Sequence, residues 1–276
     1  MNEINTIPRL FKNSIKANSK ENCIGRIQGT RVKYITHQEY FSQVSSLSTS
    51  LLKLNIKLDS KVCILAETSY QWHIFDLAAI CSNATTVPIY PTVTLSEFEY
   101  ILNETEASLI FMDVTNQFDK FFELEKTPIT LKYIVTLFKA SHEQKEKCQK
   151  HGIELIDYQY LIDKGYLEKK LNPELFSIKS NNVKPDSLAT IIYTSGTTGN
   201  PKGALITNQA FTQMLLNLKK SFSSTFNEQD VALVELPLSH VLGRCSSYLQ
   251  LSFGLKTVFG GGIDNFTSDC SIAKPT

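Results

Sequence analysis

The chain has 276 residues, of which 42% are hydrophobic, and it carries a formal net charge of +1. The length predicts one large domain or two smaller ones, and the apolar content excludes a disordered chain. A net charge so close to zero gives no electrostatic sign of nucleic acid or of an acidic membrane surface. We therefore predict no nucleic-acid partner.

The six cysteines are scattered, and no two of them form a CxxC pair. This spacing favours reduced structural thiols of a cytoplasmic protein over zinc ligands or a disulfide framework. The first residues, MNEINTIPRLFKNSIK, lack the apolar core of a signal peptide. The longest apolar stretch, residues 73–81, contains Asp76 and is too short to span a bilayer. We predict a cytoplasmic protein with no transmembrane segment, and peripheral association with the inner membrane face stays open.

Short apolar runs alternate with amphipathic stretches from Lys61 onward. These runs are typical of buried strands, because they are short, rich in β-branched residues and bounded by polar residues or proline. They cover residues 62–66, 85–90, 108–112 and 133–138. Since helical patterns lie between them, we predict an α/β protein whose parallel sheet is covered by helices on both faces.

Two predicted helices are marked by the residues at their starts. Thr68 stands three residues before Gln71, and Thr94 stands three residues before Glu97. Both pairs have the spacing of a capping box, which predicts a helix after each. The strongly charged segment 139–150 predicts a solvated helix rather than a binding patch.

A boundary is predicted near residue 184. The segment 171–184 is polar and typical of a connection, and Pro185 then introduces a new apolar strand over 188–193. We therefore predict a first α/β subdomain over residues 1–184 and the start of a second over residues 185–276.

The stretch that indicates chemistry is the run YTSGTTGNPKG over residues 193–203, which follows an apolar strand and precedes another apolar run. Its glycines let backbone N–H groups approach an anion closely. Its hydroxyl groups can donate to phosphate oxygens or coordinate a magnesium ion, and Lys202 adds a compact positive charge. The composition predicts a polyphosphate-binding loop.

Other interpretations of this loop are less specific. A Thr/Gly-rich hairpin turn without a ligand would be preferred for GTTG alone, but here Pro201, Lys202 and Gly203 complete a longer pattern. A Walker A loop does not fit, because Gly203 occupies its Ser/Thr position. The glycine-rich loop of protein kinases does not fit either.

The loop resembles the phosphate-binding motif of the adenylate-forming superfamily, which includes acyl-CoA synthetases, peptide-synthetase adenylation domains and firefly luciferase. The resemblance extends from about residue 8 to the end of the chain, and residues 60–83 look like the strand and Trp-containing helix of that family. Four further runs are similar to long-chain fatty acyl-CoA synthetases in particular: TVPIYPT (86–92), YILNET (100–105), LPLSH (236–240) and KPT (274–276).

The resemblance implies the layered α/β subdomains of the large N-terminal domain of adenylate-forming enzymes, truncated in the second subdomain. It also implies an ATP-dependent ligase that converts a fatty acid into acyl-AMP and pyrophosphate, after which coenzyme A displaces AMP. Because a carboxylate and a polyphosphate repel each other, Mg²⁺ and fixed donors must neutralise the phosphates and hold the reactants in line.

Site residues are implied in the same way. Lys202 would bind the β- and γ-phosphates together with the loop, and Thr194 is the hydroxyl expected nearest to Mg²⁺. His240 is the implied catalytic residue, which would orient the carboxylate; a histidine that is merely hydrogen-bonded at a helix start is the competing interpretation. The loop residues implied as phosphate contacts are Ser195, Gly196, Thr197, Thr198 and Gly199.

The chain departs from the pattern at one position. Long-chain synthetases usually continue as His-x-x-Glu-Arg after this histidine, whereas here Gly243 stands in place of the glutamate. Arg244 is expected to be a structural group rather than a substrate contact. Trp72 is expected to pack in the core, and residues 260–262 are expected to form a turn rather than a second anion-binding loop.

Segments that the family carries further along are not found in the sequence: the Tyr-Gly-x-Thr-Glu motif, the ribose-binding aspartate and the small C-terminal domain with its adenylation lysine. Removal of even one preorganised charge-stabilising group commonly lowers a rate by about 10²–10³. We therefore expect an N-terminal fragment that is not a competent ligase alone. The alternatives are one half of a split ligase, completed by a separate C-terminal polypeptide, and a non-catalytic ATP- or acyl-binding module.

Overall fold

The computed structural model describes residues 4–18, 21–113, 115–194 and 200–276, and the side chains of all of these except residues 115 and 116. The strands in this part of the chain are β1 (Asn22–Gln28), β2 (Arg31–Thr36), β3 (Lys61–Leu65), β4 (Thr85–Ile89), β5 (Leu109–Met112), β6 (Tyr133–Thr136), β7 (Glu154–Asp157), β8 (Leu188–Thr194), β9 (Lys202–Thr207), β10 (Val231–Val234) and β11 (Lys256–Phe259).

The α-helices of the described chain are α1 (Ile7–Ala17), α2 (His37–Lys53), α3 (Tyr70–Cys81), α4 (Leu95–Glu104), α5 (Thr115–Phe121), α6 (His142–Lys150), α7 (Tyr158–Leu171), α8 (Leu175–Asn181), α9 (Asn208–Phe222), α10 (Val241–Ser247), α11 (Leu249–Phe253) and α12 (Phe266–Ala273). A short 3₁₀ helix over Ile263–Asn265 precedes α12.

The larger sheet has seven strands in the order β7-β6-β5-β3-β4-β8-β9. All neighbours are parallel except β8 and β9, which form an antiparallel pair at one edge. The central strands β3, β4 and β5 are almost wholly buried, as expected for parallel strands covered on both faces. The predicted α/β class and parallel sheet are confirmed, with β9 as an antiparallel addition.

A second sheet of four strands has the order β10-β11-β1-β2. Strand β1 lies parallel to β11 and antiparallel to β2. Each sheet therefore combines strands from both sides of residue 184, since β8 and β9 extend the larger sheet and β10 and β11 pair with strands near the N-terminus. The predicted boundary does not separate the two sheets, and the division into subdomains stays a prediction.

Helix α4 begins as its capping box predicted. The Glu97 N–H donates to Thr94 Oγ1 at 3.3 Å, and the Thr94 N–H donates to Glu97 Oε2 at 3.1 Å. The charged helix α6 is also confirmed, and most of its residues are exposed.

The predicted start of α3 was wrong by one residue. Ser69 is the N-cap, and its hydroxyl accepts from the Trp72 N–H at 3.1 Å. Thr68 instead makes two tertiary hydrogen bonds at 3.2 Å, donating to Leu236 O and accepting from Leu238 N–H. The Thr68 hydroxyl, which the sequence spacing predicted as the helix cap, is engaged in these tertiary hydrogen bonds instead.

The segment 171–184 was predicted as a polar connection, but it contains helix α8. Phe176 is its buried anchor and makes an edge-to-face contact with Phe41, with ring centroids 5.5 Å apart. A seven-residue helix held by one aromatic side chain is too short to show a clear apolar period.

Trp72 is fully buried, which confirms its predicted role in the core. All six cysteines are free and five of them are buried, as predicted. Among the described residues, none of the helices combines the length and the hydropathy that crossing a bilayer requires.

Candidate functional site

A cleft of about 430 Å³ lies beyond the carboxyl ends of β4 and β8. This edge of an open parallel sheet is where α/β proteins commonly bind ligands. The end of β4, the helix α4 with the segment before it, the end of β8 and the beginning of α10 contribute its walls. Its lining residues are Pro88, Ile89, Tyr90, Thr92, Val93, Glu97, Ile101, Ile192, Tyr193, Thr194, Pro201, His240 and Val241.

The cleft brings together two of the predicted site residues, Thr194 and His240. Thr194 is the last residue of β8, and Lys202 is the first residue of β9 directly opposite it in the antiparallel register. Both side chains are exposed. The predicted phosphate contacts Ser195, Gly196, Thr197, Thr198 and Gly199 lie outside the described residues.

His240 is the N-cap of α10, and its Nδ1 accepts from the Leu242 N–H at 3.2 Å. The interpretation of this histidine as a hydrogen-bonded helix-start residue therefore matches the structure, and the same side chain lines the cleft. A neutral ring whose Nδ1 accepts must carry its proton on Nε2. Its Nε2–H group makes no hydrogen bond to the described residues and is the remaining donor of the ring. The catalytic role of His240 stays a prediction.

Gly243 shows why the family's glutamate has no place here. A Cβ at this position would lie 2.4 Å from Pro237 O and 2.8 Å from Leu236 O. These carbonyls belong to the segment that leads into α10, where the His240 N–H also donates to Pro237 O at 3.0 Å. The first turn of the helix packs so tightly on this segment that no side chain fits.

Arg244 is almost fully buried and does not line the cleft. Its Nη2 lies 2.6 Å from Asp76 Oδ1 and 2.7 Å from Thr86 Oγ1, and its Nη1 donates to Thr190 Oγ1. These contacts tie α10 to α3, β4 and β8. The structural role expected for Arg244 agrees with these contacts.

Sequence reasoning missed Tyr193 and Glu104. The Tyr193 hydroxyl donates to Glu104 Oε2, and the Tyr100 hydroxyl donates to Glu104 Oε1 at 2.8 Å. Burial, followed by the neighbouring Glu104 carboxylate, raises the pKa of Tyr193. Both tyrosines stand inside motifs noted for their resemblance, but no local spacing links them to one carboxylate.

The turn predicted at residues 260–262 is confirmed, and its amides already have partners. The Gly261 N–H donates to Asp269 Oδ2 at 2.6 Å, and the Gly262 N–H donates to Glu235 Oε2 at 2.8 Å. Burial and the adjacent Asp269 raise the pKa of Glu235 to about 7. Because carboxylates of the chain itself occupy these two N–H groups, the turn does not form an open anion site.

The family model described as AMP-binding enzyme matches residues 13–273. The chain is 28% identical to long chain acyl-CoA synthetase 4 of Arabidopsis thaliana over 276 residues, covering 97% of this chain and 40% of the relative. It is 26% identical to long-chain-fatty-acid–CoA ligase 1 of Homo sapiens, covering 99% of this chain and 39% of the relative. The chain thus spans about 40% of the length of these curated relatives.

Solved structures show the same fold. The adenylation domain of a carboxylate reductase from Mycobacterium chelonae superposes with a TM-score of 0.82 at 18% identity, covering 100% of this chain and 46% of that structure. A long-chain-fatty-acid–CoA ligase from Archaeoglobus fulgidus gives 0.76 at 16% identity, covering 96% and 49%. These matches confirm the predicted fold class, the N-terminal domain of adenylate-forming enzymes.

Proposed function

Because the chain belongs to the AMP-binding enzyme family, we propose that it is the nucleotide-binding N-terminal part of an ATP-dependent long-chain fatty acyl-CoA synthetase. The complete enzyme would join a fatty acid to AMP with release of pyrophosphate, and then transfer the acyl group to coenzyme A. The observation that carries the proposal is the shared cleft of Thr194, at the base of the phosphate loop, and His240, at the start of α10.

The hairpin supports the phosphate side of this proposal. Thr194 and Lys202 are exposed and paired at its end, so that a hydroxyl and an ammonium group flank the loop between them. In the described part of the chain, Lys202 forms no ion pair with a carboxylate. A compact cation of this kind suits a phosphate. Mg²⁺, when bound, would neutralise phosphate charge, with the Thr194 hydroxyl as its nearest ligand from the described chain.

The opposite wall of the cleft is apolar, which supports a carboxylic acid with an apolar chain as the substrate. Ile89, Val93 and Ile101 line the cleft together with Ile192. The Nε2–H of His240 can donate to a carboxylate oxygen and hold it beside the phosphate loop. Such a donor would reduce the repulsion between the two anions and keep them close.

For this chain itself, the proposed activity is binding of Mg²⁺·ATP, and turnover is proposed only for the complete protein. The test is a calorimetric titration of the purified chain with ATP in excess Mg²⁺. We expect Lys202→Ala to weaken binding about tenfold or more, because it removes a charge-assisted contact. Lys219→Ala, at an exposed lysine of α9, is the matched control and should bind like the wild type.

Two results would contradict this function. One is the absence of binding by the wild-type chain at millimolar ATP, and the other is equal affinity of Lys202→Ala and the wild type. Calorimetric binding with no pyrophosphate exchange in the presence of palmitate is the expected behaviour of the chain alone.

A further inference from the structure

Glu104 links the cleft helix α4 to the strand that enters the phosphate loop. It is the last residue of α4, and its two carboxylate oxygens accept from two tyrosines. Tyr100 lies one turn earlier on the same helix, whereas Tyr193 is 89 residues away on β8. Only the second of these hydrogen bonds joins two elements of the cleft.

The Tyr193 ring is confined near its hydroxyl end. It lies over Gly203 of β9, where an added Cβ would lie 3.2 Å from Tyr193 Cζ, the ring carbon that carries the hydroxyl. The hydroxyl itself donates to Glu104. The side chain is only 8% exposed, and the glycine opposite it leaves room for the ring across the hairpin. The next residue along β8 is Thr194, at the base of the loop.

The hydrogen bond between Tyr193 and Glu104 is strong, and its donor stays protonated. A carboxylate acceptor makes a phenol hydrogen bond stronger than a neutral acceptor does. Burial and the Glu104 charge raise the pKa of Tyr193, so its hydroxyl stays protonated and remains a donor at physiological pH. Helix α4 meanwhile supplies Glu97 and Ile101 to the cleft wall.

We propose that Glu104 is a positioning residue for Thr194 in the proposed ATP site, acting through the Tyr193 hydroxyl. This hydrogen bond fixes the end of β8 relative to α4, and with it the position of Thr194 in the cleft. The inference rests on the proposed function, because it assumes that the loop binds ATP. A displacement of about 1 Å in a positioned group is enough to lower activity strongly.

The test measures the affinity of the chain for Mg²⁺·ATP by calorimetry, well below the melting temperature of each variant. Tyr193→Phe removes the hydrogen bond to Glu104 and keeps the ring, and we expect about tenfold weaker binding. Glu104→Gln keeps the shape and removes the charge, and should weaken binding in the same direction. Tyr100→Phe removes the other hydrogen bond to Glu104 and is the matched control, with affinity within about twofold of the wild type.

A double variant distinguishes an effect through the Tyr193–Glu104 contact from two independent losses of affinity. If Tyr193 and Glu104 act through one contact, Tyr193→Phe combined with Glu104→Gln should bind no more weakly than the weaker of the two single variants. Full additivity of the two losses would overturn the proposal. So would equal losses in Tyr100→Phe and Tyr193→Phe, because the effect would then belong to the end of α4 in general.

The outcomes also separate this inference from the proposed function. If the wild type fails to bind ATP, or if Lys202→Ala binds as well as the wild type, the proposed function itself is wrong. If the wild type binds, Lys202→Ala does not, and Tyr193→Phe keeps wild-type affinity, only the role of Glu104 is wrong. If Tyr193→Phe proves unfolded, Glu104→Gln and its comparison with Tyr100→Phe decide the question.

Discussion

Asp76 and Arg244 form an ion pair in which Nη2 lies 2.6 Å from Oδ1, although neither side chain is more than 1% exposed. The Tyr248 hydroxyl donates to the second oxygen of Asp76 at 2.6 Å, and Thr86 and Thr190 complete the contacts of the guanidinium. Every strong partner of both charges is therefore inside the protein. The pair fixes α10, and with it the position of His240, against α3 and two strands of the larger sheet.

The first prediction concerns the loss of one charge from this pair. Asp76→Asn should lower the free energy of unfolding by about 3–5 kcal/mol, because it leaves the Arg244 charge buried without its counter-ion. Urea denaturation measures the change. Lys53→Met, in the partly exposed pair with Glu168 at 2.9 Å, is the control and should have the smaller cost, about 1 kcal/mol. Similar costs for the two variants would mean that Arg244 is compensated by other groups.

The second prediction reverses the usual effect of alanine in a helix. Replacing a helical glycine by alanine commonly stabilises a protein by about 1 kcal/mol. Gly243→Ala should instead destabilise this chain by about 1–3 kcal/mol, because the new Cβ would meet Pro237 O at 2.4 Å. Ser221→Ala, at an exposed position of α9, should be neutral or slightly stabilising. A more stable Gly243→Ala variant in thermal melts would show that the contact relaxes freely.

The third prediction concerns the two hydrogen bonds of Thr68. Thr68→Val keeps the shape of the side chain but removes the links to Leu236 and Leu238, and should lower the free energy of unfolding by about 1–2 kcal/mol. Thr68→Ser retains the hydroxyl and should recover most of that loss. Urea denaturation of the three proteins tests both statements. Equal losses in the serine and valine variants would assign the effect to the methyl group instead.

The fourth prediction concerns the contribution of Glu235 to the pH dependence of stability. Burial and Asp269 raise the pKa of Glu235 from 4.5 to about 7 in the folded protein. Between these values Glu235 is protonated to a greater extent in the folded state than in the unfolded state, so its contribution to the free energy of unfolding decreases as the pH rises. The contribution is complete below about pH 4.5 and is lost as the pH passes through 7. One such group changes the stability by at most about 1.4 kcal/mol per pH unit.

Glu235→Gln tests this origin directly, because the amide cannot titrate. Asp113, whose pKa burial raises to about 6, contributes with the same sign, whereas His73, whose pKa burial and the Arg244 charge lower to about 3, contributes with the opposite sign. Both groups remain in the variant. The free energy of unfolding should therefore fall less, or rise more, between pH 5 and 7 in Glu235→Gln than in the wild type. Glu143→Gln, on the exposed face of α6, should leave the slope unchanged. An unaltered slope in Glu235→Gln would exclude Glu235 as its source.

Local features of the sequence were sufficient for most elements and for the family. The short apolar runs predicted β3 to β6 and β8, because strands buried on both faces are apolar regardless of what covers them. The Thr94 capping box predicted the start of α4, because both of its hydrogen bonds lie within four residues. The loop motif predicted the family from residue order alone, although five of its residues lie outside the described chain.

Tertiary structure decided everything that depends on residues far apart in the chain. In the folded protein the Thr68 hydroxyl forms hydrogen bonds with Leu236 and Leu238 and does not cap α3. Packing also leaves no room for a side chain at Gly243. Two tyrosines donate hydrogen bonds to Glu104, and one of them is 89 residues away in the sequence. Arg244 pairs with Asp76, which is 168 residues away. Local spacing determines hydrogen bonds within one turn of a helix, whereas a contact between distant segments exists only once both are packed. The sequence by itself therefore determined the buried parallel strands, the family and the residues Thr194, Lys202 and His240 as candidates. Only the fold determined which residues lie together in the cleft and what holds them there.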